Sequence, residues 1–231
     1  MKYTIYTGLL ALLFAACNNS SDKKAEDNDT DTDSIVVVGP DTTLTSETIQ
    51  KFHTAGFTDY VKTRIPSFDW SKFKYKSSYE EDSTLTSEFS PPKSYYANYG
   101  SFLKYSPDST RFIDLDSYNI DIVKDGRGRF IGTAGGPDTE VSLINPKTGK
   151  KERLLFMGPG GTVEDAFWLS NNELAIVGTQ ENEEDAGKKV TVWKINLTDK
   201  MYDLYELDDL DAAQKLAGTW RKERLKGVTL K

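Results

Sequence analysis

The chain is predicted to be mainly β: an antiparallel meander of two blade-like repeats, with an N-terminal helical segment and a short C-terminal helix. Three observations predict this. Residues 95–207 hold a succession of short strand-like runs, and polar turn clusters such as Ser106-Pro107-Asp108, Asp125-Gly126 and Asn171-Asn172 separate most of them. Connections this short favour hairpins, and hairpins pair strands antiparallel. The order strand, polar turn, strand, excursion, strand, turn, strand then occurs twice. Residues 102–115 parallel 166–177, with Ser106 matching Ser170, and residues 141–156 parallel 192–207, with Asn145 matching Asn196. Helical spacing of apolar residues is confined to the two flanks of this region.

Taken in order, Ser46 is suited to cap a helix. Ile49, Phe52, Phe57, Tyr60, Val61 and Ile65 form its stripe, Gly56 divides it and Pro66 ends it. Phe73, Tyr75, Ser77 and Tyr79 alternate with Lys72, Lys74, Lys76 and Ser78, a period-two strand with one aromatic face and lysines suited to guard a sheet edge. Residues 80–93 read as a polar loop ending in Pro91-Pro92. Strands are expected at 99–105, 111–115, 119–123, 129–133, 140–144, 152–156, 166–169, 173–178, 189–195 and 202–207. A helix over 208–217 has Asp208 and Asp209 at its positive end, Leu210, Ala213, Leu216 and Ala217 on its apolar side and Gly218 as its stop. Trp220 is expected to pack back on the body, and the basic tail 221–231 to be solvated. The repeated order resembles single blades of a β-propeller. Two blades do not close a ring, and an ordinary meander meets the same pattern.

The first residues have a different character. Lys2 supplies a positive start, residues 8–16 are apolar, and Ala15 and Ala16 precede Cys17, the only cysteine. A helix rising ~1.5 Å per residue needs about 20 residues to cross ~30 Å of hydrocarbon, so this stretch is too short to span. Phe14-Ala15-Ala16-Cys17 resembles the lipobox of bacterial lipoproteins, with Phe14 where Leu is usual. The resemblance implies a signal peptide over residues 1–16, cleavage before Cys17 and acylation of its sulfur. Two acyl chains suffice for stable anchoring where one is marginal. Residues 18–34 hold six acids against Lys23 and Lys24 and one weakly apolar residue, Ala25, so they are expected to form an extended tether. A lipidated cysteine followed by an acidic run is similar to lipoproteins of Bacteroidetes and implies attachment to the outer membrane. Here the acids begin five residues after Cys17 and are interrupted by the lysines, which leaves the surface and the periplasmic side both open. The expected division is therefore 1–16 signal, 17–34 lipidated tether, 35–93 helix and aromatic segment, 94–207 β body, and 208–231 helix and basic tail.

The chemistry available to the folded part is limited. A net charge of −7 argues against nonspecific nucleic-acid binding, which needs Lys and Arg to neutralise phosphates. His53 is the sole histidine, so neither a two-histidine metal site nor a metal partner is expected. Asp29, Asp31 and Asp33 lack the turn glycine and closing Glu of a calcium loop. The glycine clusters at 126–128, 135–136 and 158–161 lack a following Lys-Ser/Thr, and no phosphate-binding loop or cofactor is expected. Glu164-Asp165 is the best acidic pair, but strand neighbours point to opposite faces, and no enzyme is expected. Aromatic density between Phe68 and Tyr105 is the stronger sign. Trp70, Tyr75, Tyr95, Tyr96 and Tyr99 are the candidate ligand residues, suited to a sugar ring or a partner protein; packing at a sheet edge is the competing use. Noncatalytic binding or assembly at the outer membrane is the expected function, a glycan-binding surface lipoprotein the alternative and a hydrolase the third. The expected partners are the membrane, through lipid on Cys17, and an envelope protein or glycan.

Overall fold

A computed structural model describes residues 41–81, 85–181 and 187–231. Cys17 and the signal and tether segments lie outside the described residues, as do residues 35–40, 82–84 and 182–186. Helices α1 (Ser46–Thr54) and α2 (Phe57–Arg64) open the described chain. Thr45 rather than Ser46 caps α1, its hydroxyl accepting the Thr48 amide at 3.3 Å. Gly56 separates the helices at φ +77°, a conformation open to glycine without steric cost. Ile65 leaves the helical region because Pro66 follows it.

After a 3-10 turn at Trp70–Lys72 come β1 (Lys74–Glu80), β2 (Thr86–Glu88), α3 (Tyr95–Tyr99), β3 (Lys104–Tyr105), β4 (Phe112–Asp114), β5 (Ile120–Lys124) and β6 (Phe130–Ala134). The chain continues through β7 (Thr139–Asn145), β8 (Lys150–Met157), β9 (Thr162–Trp168), β10 (Glu173–Glu181), β11 (Lys188–Asn196) and β12 (Met201–Leu207). It ends in α4 (Leu210–Leu216), α5 (Thr219–Arg224) and β13 (Val228–Leu230). The strands make a central sheet of order β2-β8-β7-β4-β3, a C-terminal sheet of order β1-β12-β11-β10-β9 and a small sheet of order β13-β6-β5. Pairing is antiparallel throughout except between β13 and β6.

Two four-stranded meanders therefore exist in the predicted order, β3-β4-β7-β8 and β9-β10-β11-β12, the first carrying the β5–β6 hairpin as its excursion. Their turns agree atom by atom. The Asn145 side-chain oxygen accepts the amides of Lys147 and Thr148 at 3.1 and 3.2 Å, and that of Asn196 accepts the amides of Thr198 and Asp199 at 2.9 and 3.3 Å. Four residues on, Gly149 and Lys200 both take positive φ, +65° and +53°. The other pair of turns is in contact: Asn171 accepts the Asp108 amide at 3.0 Å, and the Arg111 guanidinium reaches the Asn171 carbonyl and, at 2.9 Å, the Asn172 side chain. Neither meander closes into a barrel or ring among the described residues.

Burial explains how two blades suffice. Ile113, Val141 and Leu154 of the central sheet meet Ile176, Trp193 and Tyr202 of the C-terminal sheet in one core. The opposite face of the C-terminal sheet, with Phe167, Val177, Val192 and Tyr205, is covered by Phe52, Phe57 and Val61 of α1 and α2 and by Leu216 of α4. The opposite face of the central sheet, with Phe112 and Ile144, is covered by Tyr95 and Tyr99 of α3, Ile120 and Ile122 of β5 and Leu225.

Three expectations are corrected. Residues 95–99 are helical and only Lys104–Tyr105 are strand, because Tyr95 and Tyr99, four apart, are buried together while Tyr96 is exposed. The polar loop 80–93 contains β2, whose three exposed residues pair with β8 from Thr86↔Glu152 to Glu88↔Lys150. Backbone pairing holds it, so no buried periodicity marks it. The basic tail is only partly solvated: it ends α5 and forms β13, with the Arg224 side chain 8% exposed and Leu225 and Val228 buried, while Lys222, Lys226 and Lys231 stay exposed. As expected, Lys74 and Lys76 lie on an edge strand, α4 ends at Gly218 with φ +69°, and Trp220 packs on the body against Phe57 and Tyr60.

Candidate functional site

A cleft of about 400 Å³ opens where α3 crosses the central sheet, between the Pro91-Pro92 segment and β5. Tyr95 and Tyr99 form part of its wall, with Glu88, Asn98, Asp114, Ser117 and Asp121 among its polar groups. The Tyr95 hydroxyl donates to Asp114 Oδ2 at 2.6 Å, and the Ser117 hydroxyl donates to the same oxygen. The amides of Asp116 and Ser117 donate to Asp114 Oδ1 at 3.0 Å each, so this buried carboxylate is held from both sides. Burial, reinforced by Asp114, pushes the Tyr95 phenol well above its ordinary range, and it stays a donor. The Tyr99 hydroxyl donates to the Ile120 carbonyl at 2.9 Å and accepts the Ile122 amide at 3.0 Å, tying α3 to β5. Lys151, at the rim, pairs with Glu140 at 2.7 Å. Glu88 and Asp121 are exposed and hold no ion-pair partner among the described residues. The cleft thus offers two exposed carboxylates, unpaired among the described residues, beside aromatic and proline walls, which suits a ligand carrying hydroxyl or amine donors.

Of the five aromatic candidates, Tyr95, Tyr96 and Tyr99 share α3, but only Tyr96 is substantially exposed, at 47%. Tyr95 and Tyr99 border the cleft while largely buried. Trp70 lies in the core beneath α1 and α2, tilted against Phe52 at 4.6 Å and edge-on to Phe68 at 4.7 Å, with its Nε1 donating to Thr58 at 3.0 Å. Tyr75 stands on β1, half-buried against Tyr205, its hydroxyl bonded to Ser78. The five do not make one flat platform. Sequence reasoning missed Glu88, Asp114 and Asp121. Only Asp114 had a signal, an acid between Ile113 and Leu115 in a strand otherwise apolar.

Glu164 and Asp165 overturn the expectation that they face apart. Val177 pairs with Asp165 and Gly178 with Val163, leaving Glu164 as an extra residue in β9. A bulge of this kind breaks alternation. Both side chains consequently reach toward α5. Glu164 accepts the amides of Gly218, Trp220 (3.0 Å) and Arg221 (3.1 Å) and the Thr162 hydroxyl (3.0 Å), serving as the cap that α5 lacks in its own sequence. Burial raises its pKa against the pull of these donors. Asp165 accepts from Lys104 Nζ and Trp220 Nε1, both at 2.9 Å. Beside them Asp116 receives Arg224 as a two-pronged pair at 2.6 and 2.9 Å, and Arg221 Nε at 3.4 Å. This is a largely buried, charge-balanced lock in which all three carboxylates are engaged by protein donors. His53 sits exposed on α1, its Nε2 3.7 Å from Asp59, and no group of three potential metal ligands occurs among the described residues.

No protein family, curated protein or solved structure matches this chain.

Proposed function

We propose that the chain is a noncatalytic lipoprotein of the bacterial envelope, anchored in the outer membrane through acylated Cys17 and acting there by binding or assembly. The N-terminal pattern ending at Cys17 supports the anchor, and the acidic run after it supports a domain held away from the lipid. The observation that carries the binding role is the α3 cleft, where exposed Glu88 and Asp121 hold no ion-pair partner among the described residues beside Tyr95 and Tyr99. Acyl attachment is tested by Cys17→Ser, which should release the protein from membranes and abolish palmitate labelling; retained labelling would sink the anchor.

A glycan is the second reading, favoured because carboxylates accept from sugar hydroxyls while tyrosine and proline walls meet the apolar face of the ring. Glu164 and Asp165, the best candidates for hydrolysis, are engaged in capping α5 and in ion pairing. A glycan array probed with the full chain carrying Cys17→Ser should give hits that Asp121→Ala weakens. Silence on the array, with a protein recovered by pull-down and lost in Asp121→Ala, would favour assembly over glycan binding. No dependence on Asp121 or Glu88 in either experiment would remove the cleft from the proposal.

A further inference from the structure

A second cavity, of about 340 Å³, lies between the β5–β6 hairpin, α5 and β13. Its character is opposite to that of the α3 cleft. The floor is apolar, made by Ile120, Leu225, Val228 and Leu230, and the charged side chains around it are all cationic: Arg221, Lys222 and Lys226. Leu230 is 54% exposed although it faces this space, so apolar surface is left open to water at a concave place. Arg221 is fixed by Asp116 and Asn119, and Lys226 pairs with Glu223 at 2.8 Å. The Lys222 ammonium holds no ion-pair partner among the described residues. Lys222 lines the cavity from α5 and Lys226 from the turn that follows it.

We infer that this cavity binds a fatty carboxylate of medium chain length, its hydrocarbon tail on the floor and its carboxylate at Lys222. A volume near the lower end of small-ligand sites, ~300–1,000 Å³, fits one short acyl chain. An apolar floor under a cationic rim selects an amphipathic anion over a neutral or cationic amphiphile, because the head is matched by charge and the tail by burial. The inference is independent of the α3 cleft and of acylation at Cys17.

Titration of the full chain carrying Cys17→Ser with hexanoate, heptanoate and octanoate, followed by two-dimensional NMR, tests it. Saturable shifts should cluster at residues 119–136 and 218–230, and affinity should rise about fourfold per added methylene. Octanol should bind more weakly than octanoate. Lys222→Glu should weaken octanoate about fivefold, as expected for reversing one exposed charge, and leave octanol unchanged. Gly136→Phe introduces a ring where an added Cβ meets no atom within 4 Å, and it should abolish binding of both. An unchanged thermal midpoint in Gly136→Phe would show that the loss is local. Absence of saturable octanoate binding, equal affinity for octanol, or full binding by Gly136→Phe would each overturn the assignment.

Discussion

Gly149 and Lys200 hold the same place in twin turns, yet only one of them is glycine. Both are left-handed, at φ +65° and +53°, and that region costs an L-residue roughly 1–2 kcal/mol. Gly149→Ala should therefore destabilise the fold by about 1 kcal/mol in urea unfolding. Gly126→Ala, where an added Cβ meets no atom within 4 Å and φ is not positive, should change stability by less than about 0.5 kcal/mol. Equal effects of the two changes would show that the turn geometry is not what Gly149 supplies. Asp108 supports the companion turn by accepting from the Ser106 hydroxyl at 2.7 Å and from the Thr110 amide at 3.0 Å. Those bonds lower its pKa to about 2 from 3.8. The folded state thus holds this proton less tightly than the unfolded chain. Its contribution is complete above about pH 4 and is lost as pH falls through about 2. Asp108→Asn should flatten that part of the acid-unfolding curve, and a curve superimposable on the wild type would refute the assignment.

At the scale of elements, the bulge in β9 is what turns two neighbouring acids into a cap and an ion-pair acceptor. Glu164→Ala leaves the amides of Gly218, Trp220 and Arg221 without their acceptor. At roughly 1–3 kcal/mol for each buried unsatisfied donor, a loss of about 3 kcal/mol or more is expected, with faster amide exchange at residues 218–221 and little change in α4. Gly178→Ala should act on the same bulge from the opposite strand, since its Cβ would meet the Thr162 carbonyl oxygen at 2.2 Å. Uniform exchange across α4 and α5 in Glu164→Ala would argue against local capping. The bulge was not legible in the sequence, because Ala166 to Leu169 alone reads as a complete short strand, whereas β9 begins at Thr162. The later strands and α4 were legible because apolar runs buried on both faces and bounded by turn residues mark β10 and β11, and the capping Asp209 marks α4. β2 and α3 were not: β2 buries no side chain, and α3 is a single helical turn whose tyrosines also suit a strand. The same holds for the site. Aromatic density found Tyr95 and Tyr99, but nothing in one sequence distinguishes Asp121 from any other exposed acid.

For the molecule as a whole, the C-terminal segment is the piece that joins the sheets. Asp116 follows the central sheet's β4, Asp165 belongs to the C-terminal sheet, and both are reached by side chains of the segment that runs on into β13 and the small sheet. Lys104 of β3 closes the same cluster on Asp165. Arg224→Met removes the two-pronged partner of Asp116, whose side chain is 2% exposed, and leaves it only the longer contact to Arg221 Nε at 3.4 Å. Breaking such a pair costs about 3–5 kcal/mol, because the remaining charge is left in a poorly solvated place. Replacing the pair by apolar or neutral groups is far milder, so Arg224→Met combined with Asp116→Asn should recover much of the loss. Because the cluster joins two sheets directly and the third through the chain that runs on into β13, the single variant should lose amide protection in β4, β9 and β6 together while unfolding remains one transition. If protection falls only around α5, with β4 and β9 unchanged, the segment is an appended strap rather than the joint between blades. That outcome would also separate its two uses, since the cavity beside α5 would lose its ligand while the paired meanders kept their core.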